Sequence, residues 1–191
     1  MRQEPTTPDI IIERAVELWC RAIRAPSFDN GDNSLNGALA MGLHGGNMAL
    51  QLANVSDVEA AIEKFRAALV ARLKFLREHH GEPDGGTAHG QPTTYYFDKC
   101  LRTDYDPDRE LRAAAIEAGL PPSVFSWKST VSFYDGQAVC ASFGYRAPSV
   151  YHYPLSNGGW LICDLHGSAM PLIVKAVEEG RLPELAVEMP A

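Results

Sequence analysis

Asp29 and Asp32 are the residues whose type and spacing come closest to a catalytic or cation-binding arrangement. They lie in Phe28–Gly37 (FDNGDNSLNG), where two carboxylates, the amides of Asn30, Asn33 and Asn36 and the Ser34 hydroxyl crowd one loop. Oxygen-rich loops of this kind hold hard cations such as Ca²⁺ and Mg²⁺. The calcium spacing fails, however. Counted from Asp29, position three is Gly31 and position six is Ser34, where an EF-hand needs Asp or Asn and then Gly. The same residues also make a turn, with each Asp bonded to its own backbone and Ser34 or Asn36 capping the next helix. Read as chemistry, the loop joins Asp29 and Asp32 to His44, about two turns further on, and to His166. A carboxylate held beside a histidine lets the surroundings set both pKa values for proton transfer. Asp29, Asp32, His44 and His166 are therefore the candidate catalytic residues of a small-molecule or metal-dependent enzyme. Asn30 and Asn33 are candidate ligand or partner contacts.

Other constellations are weaker. His44-Gly45-Gly46-Asn47 resembles the HGGG oxyanion element of lipases and esterases, but the chain has no G-x-S-x-G nucleophile to go with it. Asp104, Asp106 and Asp108 alternate as a calcium loop begins, yet Arg109 and Ala115 stand where Gly and Glu belong. Asp106 as a helix N-cap and Asp108 in the first turn account for them. His79, His80 and His89 flank a Gly/Pro-rich loop, which does not supply the fixed tetrahedron zinc requires. Cys140 and Cys163 lie in apolar runs, with His166 three residues beyond Cys163. On a strand, residues three apart face opposite sides, so a core cysteine and a strand-end histidine are expected. No metal and no cofactor are expected.

Aromatic residues gather in the second half, from Tyr95 to Trp160. In Tyr151-His152-Tyr153, alternation gives the two tyrosines one face and His152 the other. An outward aromatic face marks an interface, so Tyr145, Arg146, Tyr151 and Tyr153 are candidate partner contacts.

These residues must be held by elements that the pattern outlines. The chain has 191 residues and a net charge of -7, enough length for a full core and the wrong sign for a nucleic-acid partner. Four cysteines without a CxxC pair, no apolar leader and no apolar run of ~20 residues indicate a cytoplasmic protein with no membrane segment. A first helix runs from a Thr7 cap to Pro26, with Ile11, Ile12, Ala15, Leu18, Trp19 and Ile23 at helical spacing. A second starts at Ser34 or Asn36. Gly42, Gly45 and Gly46 imply that it either packs closely on a neighbour or breaks. A third opens on the capping box Ser56-Asp57-Val58-Glu59 and carries one apolar stripe to Leu76.

Residues 81–92 read as an exposed mobile loop. After them come a β-prone Thr93–Phe97, a short helix from Asp106-Pro107 to Gly119, and two hairpins turning at Asp135-Gly136 and Ser156-Asn157-Gly158-Gly159. A last helix spans about Ala169–Glu179. The expected fold is a single α+β domain over residues 1–191. Antiparallel N-terminal helices (about 1–80) pack on one face of a four- to five-stranded antiparallel meander (about 93–191), with a short helix between the halves and a C-terminal helix. The expected function is binding. An acidic adaptor or inhibitor would occupy a basic surface of a protein partner, or of a second copy. The enzyme built on Asp29, Asp32 and His44 is the alternative.

Overall fold

The computed structural model describes residues 8–26, 35–78, 87–88, 91–92, 100–103, 106–134, 137–144, 147–182, 185 and 187–188. Its helices are α1 (Asp9–Arg24), α2 (Leu35–Leu52), α3 (Val58–Glu78), α4 (Arg109–Ala118) and α5 (Met170–Glu178). Its strands are β1 (Thr87–Ala88), β2 (Gln91–Pro92), β3 (Cys100–Thr103), β4 (Ser129–Tyr134), β5 (Ala138–Ser142), β6 (Val150–Pro154), β7 (Trp160–Cys163) and β8 (Val187–Glu188). The fold is α+β. β3 to β8 form one open antiparallel sheet in chain order, six strands wide rather than four or five. The two strands that pattern reading misses are the edges β3 and β8, which are short and lack a flanking hairpin turn. The strand expected at Thr93–Phe97 lies outside the described residues. The stretch expected as loop contains the paired β1 and β2.

The hairpins follow from local chemistry. β4 and β5 pair from Thr130↔Ser142 to Tyr134↔Ala138; Asp135 and Gly136 lie outside the described residues. Between β6 and β7, Gly158 takes a φ of +83°, a left-handed conformation that glycine adopts without strain. The Asn157 side chain accepts the Gly159 N–H at 2.9 Å. A Cβ on Gly159 would meet the Glu188 carbonyl oxygen at 2.8 Å, so this glycine lets β8 close along β7.

Three caps differ from expectation by one or two residues. Thr7 is outside the described residues, and Pro8 takes the α1 N-cap without a side-chain bond. At α3 the cap is Asp57, whose Oδ1 accepts the Ala60 N–H at 2.9 Å, while Glu59 binds Arg24 instead of closing a capping box with Ser56. At α4 the cap is Asp108 rather than Asp106. It accepts the N–H groups of Glu110 and Leu111, and that of Arg102 on β3. A capping oxygen works from the residue just before the first turn, and here the extended residue is the second Asp.

The main core lies between α1, α3, α4 and one face of the sheet. Ile11, Ile12, Trp19, Phe65, Leu69, Leu111, Val131, Phe133 and Val139 belong to one buried cluster. Trp19 sits edge-on to Phe125 and Phe143, with centroids 5.6 and 5.4 Å away. On the opposite face, α5 covers β6 and β7 through Met170, Tyr153, Leu155 and Leu161. α2 does not break at its glycines, and it packs on nothing at Gly42 or Gly46. It runs unbroken through Gly45-Gly46, and a Cβ added at Gly42 or Gly46 would meet nothing within 4 Å.

Candidate functional site

Strand register builds the site. Cys100 pairs with Ser132, Ser132 with Cys140, Cys140 with Tyr151, and Tyr151 with Cys163. The five residues form a single row across β3 to β7, on the face away from α1. Successive strands lie about 4.8 Å apart, so neighbouring cysteines of the row are separated by roughly 10 Å, beyond disulfide reach. The chain has no disulfide. Tyr134 and Tyr153 flank the row on this same face, because each lies two residues along its strand from a row member.

His166 follows β7 and returns over the tyrosines. Its ring stacks on Tyr151 at 5.0 Å and meets the Tyr134 ring at 4.0 Å. Tyr134 in turn lies edge-on to Tyr151 at 5.6 Å. The Tyr153 hydroxyl lies 2.9 Å from His166 Nδ1 and 3.3 Å from the Leu165 carbonyl, and its single proton serves one of them at a time. Burial pushes the Tyr153 hydroxyl up to about 12, so it stays protonated and acts as a donor rather than a base. Burial, with Cys140 alongside, also holds the Tyr151 hydroxyl above its usual range. Tyr134 is 37% exposed and Tyr151 half-buried, so the cluster is open to solvent on one side.

Of the residues singled out by sequence, the structure brings together Tyr151, Tyr153 and His166. It does not bring His44 to them. His44 stacks on Trp127 with centroids 4.1 Å apart, and its Nε2 lies 3.4 Å from the Phe125 carbonyl. Phe125 belongs to the α1 side of the sheet, opposite His166. Burial holds the His44 ring below its ordinary pKa. Asp29, Asp32, Asn30, Asn33, Tyr145 and Arg146 lie outside the described residues, as do His79, His80 and His89. Among the described residues no group of three or more His, Cys, Asp or Glu side chains could hold a metal ion. No described helix is long and apolar enough to cross a membrane.

Sequence reading misses a second constellation, on the other face. Arg14 of α1 is 2% exposed. It donates to Glu188 of β8 at 2.7 and 3.0 Å, to Glu17 at 2.9 Å and to His152 Nδ1 at 3.0 Å, and its guanidinium lies 5.0 Å from the Trp160 ring centre. Arginine has no acceptor, so Nδ1 of His152 is unprotonated and the ring carries its proton on Nε2. Burial, then Arg14, pushes the His152 ring down to about 4. Hydrogen bonds from Arg14 and Arg21 pull the Glu188 carboxyl down to about 2. This cluster fastens α1 to β6, β7 and β8. Arg14 stands four residues before Leu18 on the otherwise apolar buried side of α1, and no local pattern ties it to position 188.

No protein family, curated protein or solved structure matches the chain.

Proposed function

We propose that this chain is a protein-binding domain that docks on a basic surface of its partner through the open part of the sheet face carrying Tyr134, Tyr151 and His166. The observation that carries this reading is the assembly of these three rings at the surface, beside the cluster that α5 buries against Tyr153, Leu155 and Leu161. Such rings are rigid and amphipathic, so they give contact area with little loss of side-chain entropy on binding. The net charge of -7 favours a basic partner and speeds encounter with it. The enzyme alternative has less support. His44 is engaged with Trp127 and Phe125, and the hydroxyl nearest His166 is held protonated.

A photoreactive phenylalanine analogue at position 134, introduced in the native host, tests the reading. The expected result is a discrete adduct to one identified protein, lost on Tyr151→Ser and weakened at high salt, where charge attraction is screened. An adduct pattern matching that of the same analogue at exposed Ile116, on α4, would sink it.

A further inference from the structure

α2 differs from the other long helices. From Leu35 to Leu52 it contains no Asp, Glu, Lys or Arg. Its inner side is engaged: Met48 is 2% exposed, His44 stacks on Trp127, and Gln51 accepts a hydrogen bond from the Ser123 hydroxyl. Among the described residues its outer side is not. Leu39, Leu43 and Leu50 are 60, 68 and 69% exposed. With Gly46 they step by four, three and four residues, the spacing of a helix-pairing seam. Glycine costs a helix interior about 1 kcal/mol relative to alanine. The chain's own packing gives no reason to bear that cost at Gly42 or Gly46, where an added Cβ would meet open space.

We infer that the outer face of α2 pairs with α2 of a second copy of this chain, antiparallel across a two-fold axis. The seam is complementary to itself in that arrangement. Turned end for end, a second helix sets its Leu50 beside Leu39 and its Gly46 beside Leu43, so that each Leu43 enters the notch left by the partner's missing side chain. A two-fold interface requires this reciprocity. Charge points to the same occupant. Two copies at -7 repel each other, and an uncharged 18-residue helix is a surface on which they meet without opposing like charges. An anionic membrane is a poorer match, since surface helices bind it through Lys and Arg, which α2 lacks. A single helix pair covers less than the ~1,600 Å² of a standard stable interface, so the dimer forms in roughly the micromolar range.

Sedimentation equilibrium of the full chain from about 1 to 100 µM tests this, a range bracketing that affinity. A reversible monomer–dimer equilibrium is expected. Leu43→Glu should weaken it by about a hundredfold or more, as loss of a central anchor with a buried charge added does. Gly46→Leu separates the pairing from any general effect on folding. It should raise the melting temperature, because leucine favours helix at an open site, and yet weaken the dimer about tenfold or more by filling the notch. A monomer throughout the range overturns the inference. So does a dimer that neither substitution weakens, which would place the contact on another surface such as the tyrosine face.

Discussion

Three consecutive residues of β6 divide between two environments. His152 points into a cluster with buried Arg14, half-buried Glu188 and Trp160. Tyr151 and Tyr153, on either side of it, point under His166 on the face that solvent reaches. Both faces carry a histidine hydrogen-bonded to a proton donor or hydroxyl, but burial differs: His152 is 6% exposed, while His166 is exposed. Where water is excluded, polar groups must be paired, and removing one partner strands the others. Where water is at hand it replaces a lost partner, and the side chains are available for a further contact. The sheet thus keeps its costly polar network on the α1 side and its adaptable groups where the α5 side meets solvent.

This contrast can be broken at the buried end first. Arg14→Ala leaves His152 without its donor and Glu188 with Arg21 alone, and opens a void beneath α1. It should destabilise the protein by about 3–5 kcal/mol, read as a shift in the urea midpoint at unchanged slope. A loss below about 1 kcal/mol would mean that the cluster is no tighter than a surface ion pair.

Acid sharpens the contrast next. The folded His152 ring titrates near 4, below the ordinary 6.5. The unfolded state therefore binds more protons between those values. The stability tied to His152 is complete above about pH 6.5 and is lost as pH falls towards 4. A shift of this size corresponds to something on the order of 2–3 kcal/mol. Glu188 acts in the same direction lower down, its contribution fading as pH falls from its ordinary 4.5 towards about 2. Asp108 opposes both, because burial pushes its carboxyl up from 3.8 to about 6, and the stability it gives is lost as pH rises through that span. His152 is therefore best isolated by difference. His152→Gln, which still accepts from Arg14, should flatten the melting temperature between pH 6.5 and 4 relative to the unsubstituted chain. Parallel curves would count against the assignment.

The smallest effect is expected on the open face. Tyr153→Phe removes the hydroxyl from His166 Nδ1 and the Leu165 carbonyl. Water reaches His166, so the expected cost is only about 0.5–1 kcal/mol in the same urea measurement. A cost approaching that of Arg14→Ala would erase the distinction between the faces.

What the sequence discloses follows the range of the interactions involved. The turn at Ser156–Gly159 and the stripe of α3 are local, and both stand where pattern reading places them. The grouping of Tyr151 with Tyr153 also follows from alternation alone. The return of His166 over them depends on the path the chain takes after Cys163, which no period encodes. The lack of charge on α2 is plain in the sequence, but not the outward direction of Leu39, Leu43 and Leu50, because a helix apolar on several sides has no unique inner face. Arg14 is the furthest from legible, because its meaning rests on a carboxylate 174 residues away.

That separation bears on the order in which the molecule is made. Arg14 emerges among the first residues of a growing chain, on a helix whose other inward groups are apolar, and Glu188 arrives almost last. Domains assemble as they are synthesised, at about 5–20 residues per second. For roughly 10–30 s, by that rate, α1 has its apolar surface ready to bury and Glu17 beside Arg14, but not yet Glu188. Glu188 is the later-made of the two carboxylates on Arg14, so the full set of bonds to its guanidinium closes only once β8 reaches the edge of the sheet.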